Sequence, residues 1–237
     1  MAPFREWIRT QLARRLQVPE IPRTLERLAA RGWSPAHVLD VGAYRGDFAR
    51  ECLRLWPRAR LTCFEPLPAR ADDLDALAKT HPAMRVHRAL VGAAVRDRVT
   101  LHEAETASSV LTEWQPNQFP AREYPMTTID HAIAPDLSAP RPEFLKIDVQ
   151  GYELEVLKGA ERTLSSLAAV LTEVNLLDIH QDVPLLDQLV AWLSARDWVV
   201  YDVAGLTRRP LDQALWQADL VFVPRASPWR ADKRWNA

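Results

Sequence analysis

"LDVGAYRGDF", residues 39–48, is a short apolar run that breaks into two glycines separated by three residues. An apolar run meeting glycine reads as a strand entering a tight turn, and the "DFARECLRLW" that follows has helical spacing of its apolar side chains. Outward from this unit the alternation continues through "ARLTCFE", "RADDLDALAKT" and "MRVHRAL". It pauses between residues 94 and 142, where "DRVTLHEAE", "SSV", a proline-spaced segment and "YPMTTID" read as extra strands and loop. It resumes with "EFLKIDV" (strand), "ELEVLKGAERTLSSL" (helix), "AAVLTEV" (strand), "PLLDQLVAWLSARD" (helix) and the final strands "WVVYDV" and "DLVFVP". Short strands alternating with helices predict a parallel sheet joined by crossover helices, a doubly wound α/β domain. The expected organisation is a helical extension over 1–33, one domain over 34–226 with an insertion near 94–142, and a polar tail over 227–237.

Length and composition agree with this. The chain has 237 residues, 48% of them hydrophobic, enough for one well-filled domain, and its formal net charge of -1 provides no global field for nucleic acid or an anionic membrane. No stretch approaches the roughly 20 apolar residues of a spanning helix, and the N-terminus lacks a signal peptide's apolar core, so a cytoplasmic location is expected. Cys52 and Cys63 fall in a predicted helix and strand with no zinc-ligand spacing, which predicts two buried thiols. Phe4, Trp7, Ile8, Leu12 and Leu16 lie at helical spacing, with Arg5, Arg9, Arg14 and Arg15 elsewhere on the turn. That pattern predicts a helix packed on the domain or on a second copy in a homo-oligomer.

In a doubly wound sheet the ligand lies beyond the carboxyl ends of the strands, where backbone approaches it closely. Gly42 and Gly46 occupy the first such turn, either to admit a ligand or simply to close the turn. The spacing is neither G-x-G-x-x-G nor a phosphate loop with its lysine. "CFEPLP" ends the second strand in Glu65, and Pro66 and Pro68 stop the strand there. An acid about 20 residues beyond the glycine turn accepts hydrogen bonds from ribose hydroxyls. An adenosine ligand without a pyrophosphate, such as S-adenosylmethionine, fits this better than a dinucleotide.

"LDVGAYRGDF", "CFEPLP", "YPMTTIDHAI" and above all "FLKIDVQGYELEVLKGA" (Phe144 to Ala160) resemble the successive motifs of the FkbM-type methyltransferases, over residues 37–175. The resemblance implies the class I methyltransferase fold, a Rossmann-like, mostly parallel sheet of seven strands flanked by helices. It also implies S-adenosylmethionine as cofactor and O-methylation of a sugar, glycan or polyketide-type metabolite. Carried over, Asp40, Gly42, Ala43 and Gly46 would surround the methionine part of the cofactor, and Glu65, with Pro66 after it, would hold the ribose. Tyr44 stands where the family often has Asn, and no acid after "RVHRALVG" is placed for the adenine amino group.

O-methylation of an unactivated alcohol needs an aligned oxygen and a route for its proton, by a carboxylate, a histidine or a divalent cation. Asp148, Gln150 and Glu153 leave one strand and Glu173 and Asn175 the next, on the same ligand-facing edge. Asp148 and Glu173 are the candidate catalytic carboxylates and the candidate ligands of Mg²⁺; Asp148 also borders the cofactor, and Gln150, Glu153 and Asn175 could bind acceptor hydroxyls. The alternative for Asp148 and Glu153 is capping of the following helix. His180 and His131 are candidate bases in loops, Lys146 is expected to run its stem along the core to an outer partner, and Ser108 and Ser109 resemble a serine segment near the cofactor. Trp114, Phe119 and Tyr124 lie in the insertion, whose stretch 104–126 is expected to cover the acceptor, with Trp114 against it. The rival reading is a non-catalytic adenosine-ligand-binding or assembly protein. N-methylation lacks support, because the Asn/Asp-Pro-Pro-aromatic motif of many amino-group methyltransferases is absent.

Overall fold

The computed structural model describes residues 15–114, 119–134 and 140–236. Phe4, Trp7, Ile8 and Leu12 of the expected first helix lie outside the described residues. Within them run α1 (Ile21–Ala30), β1 (His37–Val41), α2 (Asp47–Leu55), β2 (Arg60–Phe64), α3 (Pro68–Ala78), β3 (Met84–His87), β4 (Leu90–Val91) and β5 (Arg96–His102). Next come β6 (Ala121–Thr127), α4 (Ile129–Ala132), β7 (Phe144–Ile147), α5 (Glu153–Lys158), β8 (Ala169–Asn175), α6 (Leu186–Ser194), β9 (Trp198–Arg208) and β10 (Leu215–Pro224).

Seven strands form one sheet in the order β3-β2-β1-β7-β8-β10-β9. β1 pairs in parallel with β2 and β7, and β7 with β8, whereas β10 runs antiparallel to both of its neighbours. The reversal follows from the β9–β10 hairpin, which needs no crossover helix. Because β1 is central, all five of its residues are buried, including the charged Asp40. Successive side chains face opposite layers. Leu39, Val41, Leu145, Ile147, Leu220 and Phe222 join one core, and Val38, Cys63, Phe144, Leu171 and Val221 join the other. Cys52 and Cys63 are free and buried in the second core, as expected.

The described part of the extension, and the tail as far as Trp229, are part of the packing. α1 buries Leu28 and packs Leu25 into the second core, and it is tied to β9 by Arg27–Asp202 at 2.7 Å. Trp33 meets the rings of Trp56, Phe144 and Trp229 at 5.3, 5.2 and 4.9 Å, so the tail is held as far as Trp229. The insertion folds as a second sheet in the order β4-β6-β5. Part of the stretch expected as loop is therefore strand β6, whose Met126 is buried beside Leu90 and Leu101. The helix expected over "ELEVLKGAERTLSSL" is α5 followed by a separate 3-10 turn, Thr163–Ser166.

Candidate active site

A cavity of about 400 Å³ opens over the carboxyl ends of β1, β2 and β7. Gly42, Ala43, Tyr44, Glu65, Pro66, Lys146, Asp148 and Gln150 line it at one level, and Leu67, Leu90, Val91, Leu101 and Val110 form an apolar wall. The first turn of α1 also contributes, through Ile21 and Pro22.

The glycines answer to the protein rather than to a ligand. A side-chain carbon on Gly42, at φ +77°, would stand 1.8 Å from the Asp148 carbonyl oxygen, so the exits of β1 and β7 meet there as bare backbone. Gly46, at φ +83°, begins α2 in the left-handed region, and a side-chain carbon on it would be 2.9 Å from Leu74 Cδ2. Gly46 does not line the cavity, which corrects its expected place around the cofactor. Ala43 and Gly42 do line it, although both of their N–H groups donate to the Phe64 carbonyl, at 3.1 and 3.0 Å.

Glu65 is buried at the cavity wall, as its position at the end of β2 predicts. Oε2 accepts from Tyr44 N–H at 2.8 Å and Oε1 from Leu67 N–H at 2.9 Å. Each oxygen has one lone pair left for a further donor. Burial raises its pKa and the two backbone donors oppose that rise. Tyr44 takes the left-handed conformation, φ +47°, which an Asn accepts readily. Its hydroxyl donates to Glu105 at 2.7 Å, across the cavity mouth.

Beneath the cavity lies a buried charge group that the sequence reading missed. Lys146 does not reach outward: its Nζ lies 3.5 Å from Asp40 Oδ1, 3.4 Å from Asp148 Oδ2 and 3.1 Å from the Gly42 carbonyl oxygen. Asp40 and Lys146 are register partners on β1 and β7, so both side chains leave the same face of the sheet. Burial works against the lysine charge, but the carboxylates of Asp148 and Asp40 outweigh it and raise its pKa. Burial also raises Asp40, against the pull of Lys146. Asp40 is fully buried and does not line the cavity, so it supports Lys146 instead of touching the cofactor directly.

Of Asp148, Glu153 and Glu173, only Asp148 lines the cavity, and 36% of its side chain is exposed. Its Oδ1 accepts from Gln150 Nε2 at 2.9 Å, and the same amide reaches Glu173 Oε1 at 3.3 Å. Gln150 stands at φ +54° in the turn that follows β7. Glu153 closes that turn by accepting from Val149 N–H at 3.1 Å and Gly151 N–H at 3.0 Å. Burial pushes its pKa up to about 7. Glu153 is thus a buried clamp on backbone, close to the capping alternative and not an acceptor-binding group.

Glu173 and Asn175 are also buried and behind the cavity wall. Glu173 Oε1 accepts from Gln217 Nε2 at 2.6 Å, and the same amide reaches Asn175 Oδ1 at 3.3 Å. Burial, then Asp148, holds the Glu173 carboxyl well above its ordinary range, and its register partner Asp219 is raised by burial to about 6. Glu173 therefore positions Gln150, and through it Asp148, without reaching the cavity. Gln217 and Asp219 went unnoticed in the sequence because their strand pairs antiparallel, out of the βα rhythm.

No group of three or more His, Cys, Asp and Glu placed to hold a metal occurs among the described residues. The residues expected for Mg²⁺ also fit it poorly. The Gln150 amide hydrogens lie between Asp148 and Glu173, where a shared cation would sit.

The insertion departs most from expectation. Ser108 lines the cavity, but Ser109 turns away and donates to the Gln150 carbonyl oxygen at 2.7 Å. Trp114 is 62% exposed and does not line this cavity, so it does not cover an acceptor there. His180 is buried and lies outside the main cavity, which removes it as the base; burial lowers its pKa. His131 N–H is capped by Thr128 in α4, also away from the cavity.

The parallel sheet turned back by its last hairpin, with its cavity over the first turn and an acid closing the second strand, defines an S-adenosylmethionine-dependent methyltransferase of class I. The chain belongs to the FkbM methyltransferase family: the family profile described as "Methyltransferase FkbM domain" matches residues 40–199. A comparison with curated proteins finds no match. Among solved structures, the chain is similar to precorrin-6y C5,15-methyltransferase of Geobacter metallireducens GS-15 at 14% identity, covering 85% of this chain and 86% of that one, with a TM-score of 0.46. It is similar to magnesium protoporphyrin IX methyltransferase of Synechocystis PCC 6803 with bound SAM at 10% identity, 86% and 79% coverage and a TM-score of 0.47. It is also similar to 1,6-didemethyltoxoflavin-N1-methyltransferase of Burkholderia thailandensis at 12% identity, 92% and 85% coverage and a TM-score of 0.47.

Proposed function

We propose that the chain transfers a methyl group from S-adenosylmethionine to a hydroxyl oxygen of a sugar, glycan or polyketide-type metabolite. The observation that carries this reading is Asp148, a half-exposed carboxylate on the cavity wall, held by Lys146 on one oxygen and Gln150 on the other. The residues fit the cofactor: Glu65 has free acceptor capacity for ribose hydroxyls, and Leu90, Val91 and Leu101 offer an apolar bed for adenine. When bound, the cofactor supplies a methyl group made electrophilic by its sulfonium.

The chain's own residues orient the acceptor and take its proton. An alcohol is too weak an acid to be deprotonated beforehand by a carboxylate, but its proton becomes acidic as the new C–O bond forms. Asp148 can hold that hydrogen from the start and receive it late, with Lys146 and Gln150 fixing the carboxylate. The rival reading, a binding or assembly protein that keeps the fold, is less well supported, because Glu65 and Asp148 both face an open cavity.

Asp148→Asn keeps the size and the bond to Gln150. Turnover should fall about a hundredfold or more, while affinity for S-adenosylhomocysteine by calorimetry changes little. Wild-type turnover in that variant would remove Asp148 from the step. A chelator should leave wild-type turnover unchanged, and loss that Mg²⁺ restores would contradict the account of Gln150.

A further inference from the structure

The main cavity has two apolar walls, and the reading above uses only one of them. Leu67, Leu90, Leu101 and Val110 belong to the cluster built around the insertion, and this is the wall that offers adenine its bed. Ile21 and Phe48 line the same cavity but pack against the second core, in the other layer of the sheet, and Pro22 joins them from the first turn of α1. The cavity therefore reaches across the end of the sheet from one layer to the other.

The second wall adjoins the reactive carboxylate. Lys146 Nζ, 3.4 Å from Asp148 Oδ2, stands 5.8 Å from the centre of the Phe48 ring. Phe48 also meets Phe144 of β7 at 5.8 Å, and α1 is joined to α2 by Arg54–Glu26 at 3.1 Å. The charged residues of this wall are engaged elsewhere. Asp47 has 91% of its side chain in solvent and pairs with Arg50, Glu51 pairs with Arg54 at 2.6 Å, and the Arg45 guanidinium lies over the Tyr44 ring. Beside Lys146 and Asp148, the wall offers the hydrocarbon of Ile21, Pro22 and Phe48, none of it fully buried. Ligand pockets combine such apolar surface with a few polar groups that fix orientation. A hydroxyl laid on hydrocarbon loses its water and gains no partner, whereas a carbon framework laid there is stabilised in proportion to the area it covers.

We propose that Ile21, Pro22 and Phe48 form the acceptor wall, and that the acceptor carries its hydroxyl on an apolar ring or chain, with hydrocarbon on the wall and the hydroxyl at Asp148. The inference rests on the hydroxyl-acceptor reading and deepens it: the wall selects hydrocarbon frameworks over bare sugars. Ile21 and Phe48 are specificity residues here, and Asp148 remains the group at the reacting oxygen.

The test uses two six-membered rings of opposite polarity, 4-tert-butylcyclohexanol and methyl glucoside. Each is titrated into the protein labelled at its isoleucine δ1 methyl groups and saturated with S-adenosylhomocysteine. The Ile21 resonance is assigned by its loss in Ile21→Val. The cyclohexanol should shift it saturably, and the glucoside should leave it in place. Phe48→Ser should weaken cyclohexanol binding by calorimetry tenfold or more, with S-adenosylhomocysteine affinity within twofold of wild type; if that variant does not fold, Ile21→Ser carries the same expectation. An Ile21 resonance unmoved by the cyclohexanol, or moved with equal affinity by the glucoside, would overturn the wall. A shift seen only without S-adenosylhomocysteine would overturn it too, by giving the wall to the cofactor. The two readings fail separately. Methyl transfer to a glucoside hydroxyl with a silent Ile21 sinks the wall alone, whereas an Ile21 shift in an enzyme that methylates only nitrogen supports the wall and sinks the hydroxyl reading.

Discussion

At the scale of single residues, Lys146 organises the site. It is buried between Asp40 and Asp148, and Asp40 has no hydrogen-bond donor near it apart from this ammonium. Lys146→Met should therefore cost about 3–5 kcal/mol of stability, because it strands a buried carboxylate. Asp40→Asn in the same chain should recover most of the loss, read as denaturation midpoints of the single and double variants. A single variant as stable as wild type would show that the pair does not hold the strands. Glu65 and Asp148 were legible in the sequence because an acid at a strand end has one place to go in this fold. Lys146 was not, since a lysine inside "FLKI" gives no sign of its partner until the β1–β7 register sets it opposite Asp40. Of the two serines expected near the cofactor only Ser108 lines the cavity, because neighbouring residues of extended backbone face opposite ways.

Among the elements, the turn from Asp148 to Tyr152 decides where the reactive carboxylate points. It contains Gln150 at φ +54° and Gly151 at φ +102°, and the two backbone donors at Glu153 hold it. Burial raises Glu153 from 4.5 to about 7, so the folded protein keeps a proton that the unfolded chain releases earlier. Stability from this group is therefore full below about pH 4.5, is lost as the pH rises, and levels off once the folded carboxyl ionises near pH 7. Glu153→Gln keeps an acceptor for both N–H groups and removes the titration. Its melting temperature should fall less than that of wild type between about pH 5 and 8, and identical pH profiles would contradict the clamp. The alternation that revealed β1, β2, β3, β7 and β8 says nothing of such clamps. Of β6 it leaves only the end legible, in "YPMTTID", because proline spacing masks the start of a strand that pairs with β5 at a second sheet's centre.

For the whole molecule, the sheet order brings the exits of β1, β2 and β7 to one cavity and leaves the antiparallel β10 to supply Gln217 and Asp219 behind Glu173. The fold class was readable because the βα rhythm covers most of the chain. The acceptor side was less so, since its walls come from α1, from the insertion and from antiparallel strands whose contacts depend on register. The central claim is the destination of the methyl group. It is tested most directly by incubating the protein with S-adenosylmethionine carrying a ¹³C-labelled methyl group and a panel of glycosides, glycans and polyketide lactones, and reading the product's carbon spectrum. The account predicts a new signal in the methoxy region that is lost on Asp148→Asn; label appearing on nitrogen or carbon, or a methoxy signal unchanged in that variant, would contradict it.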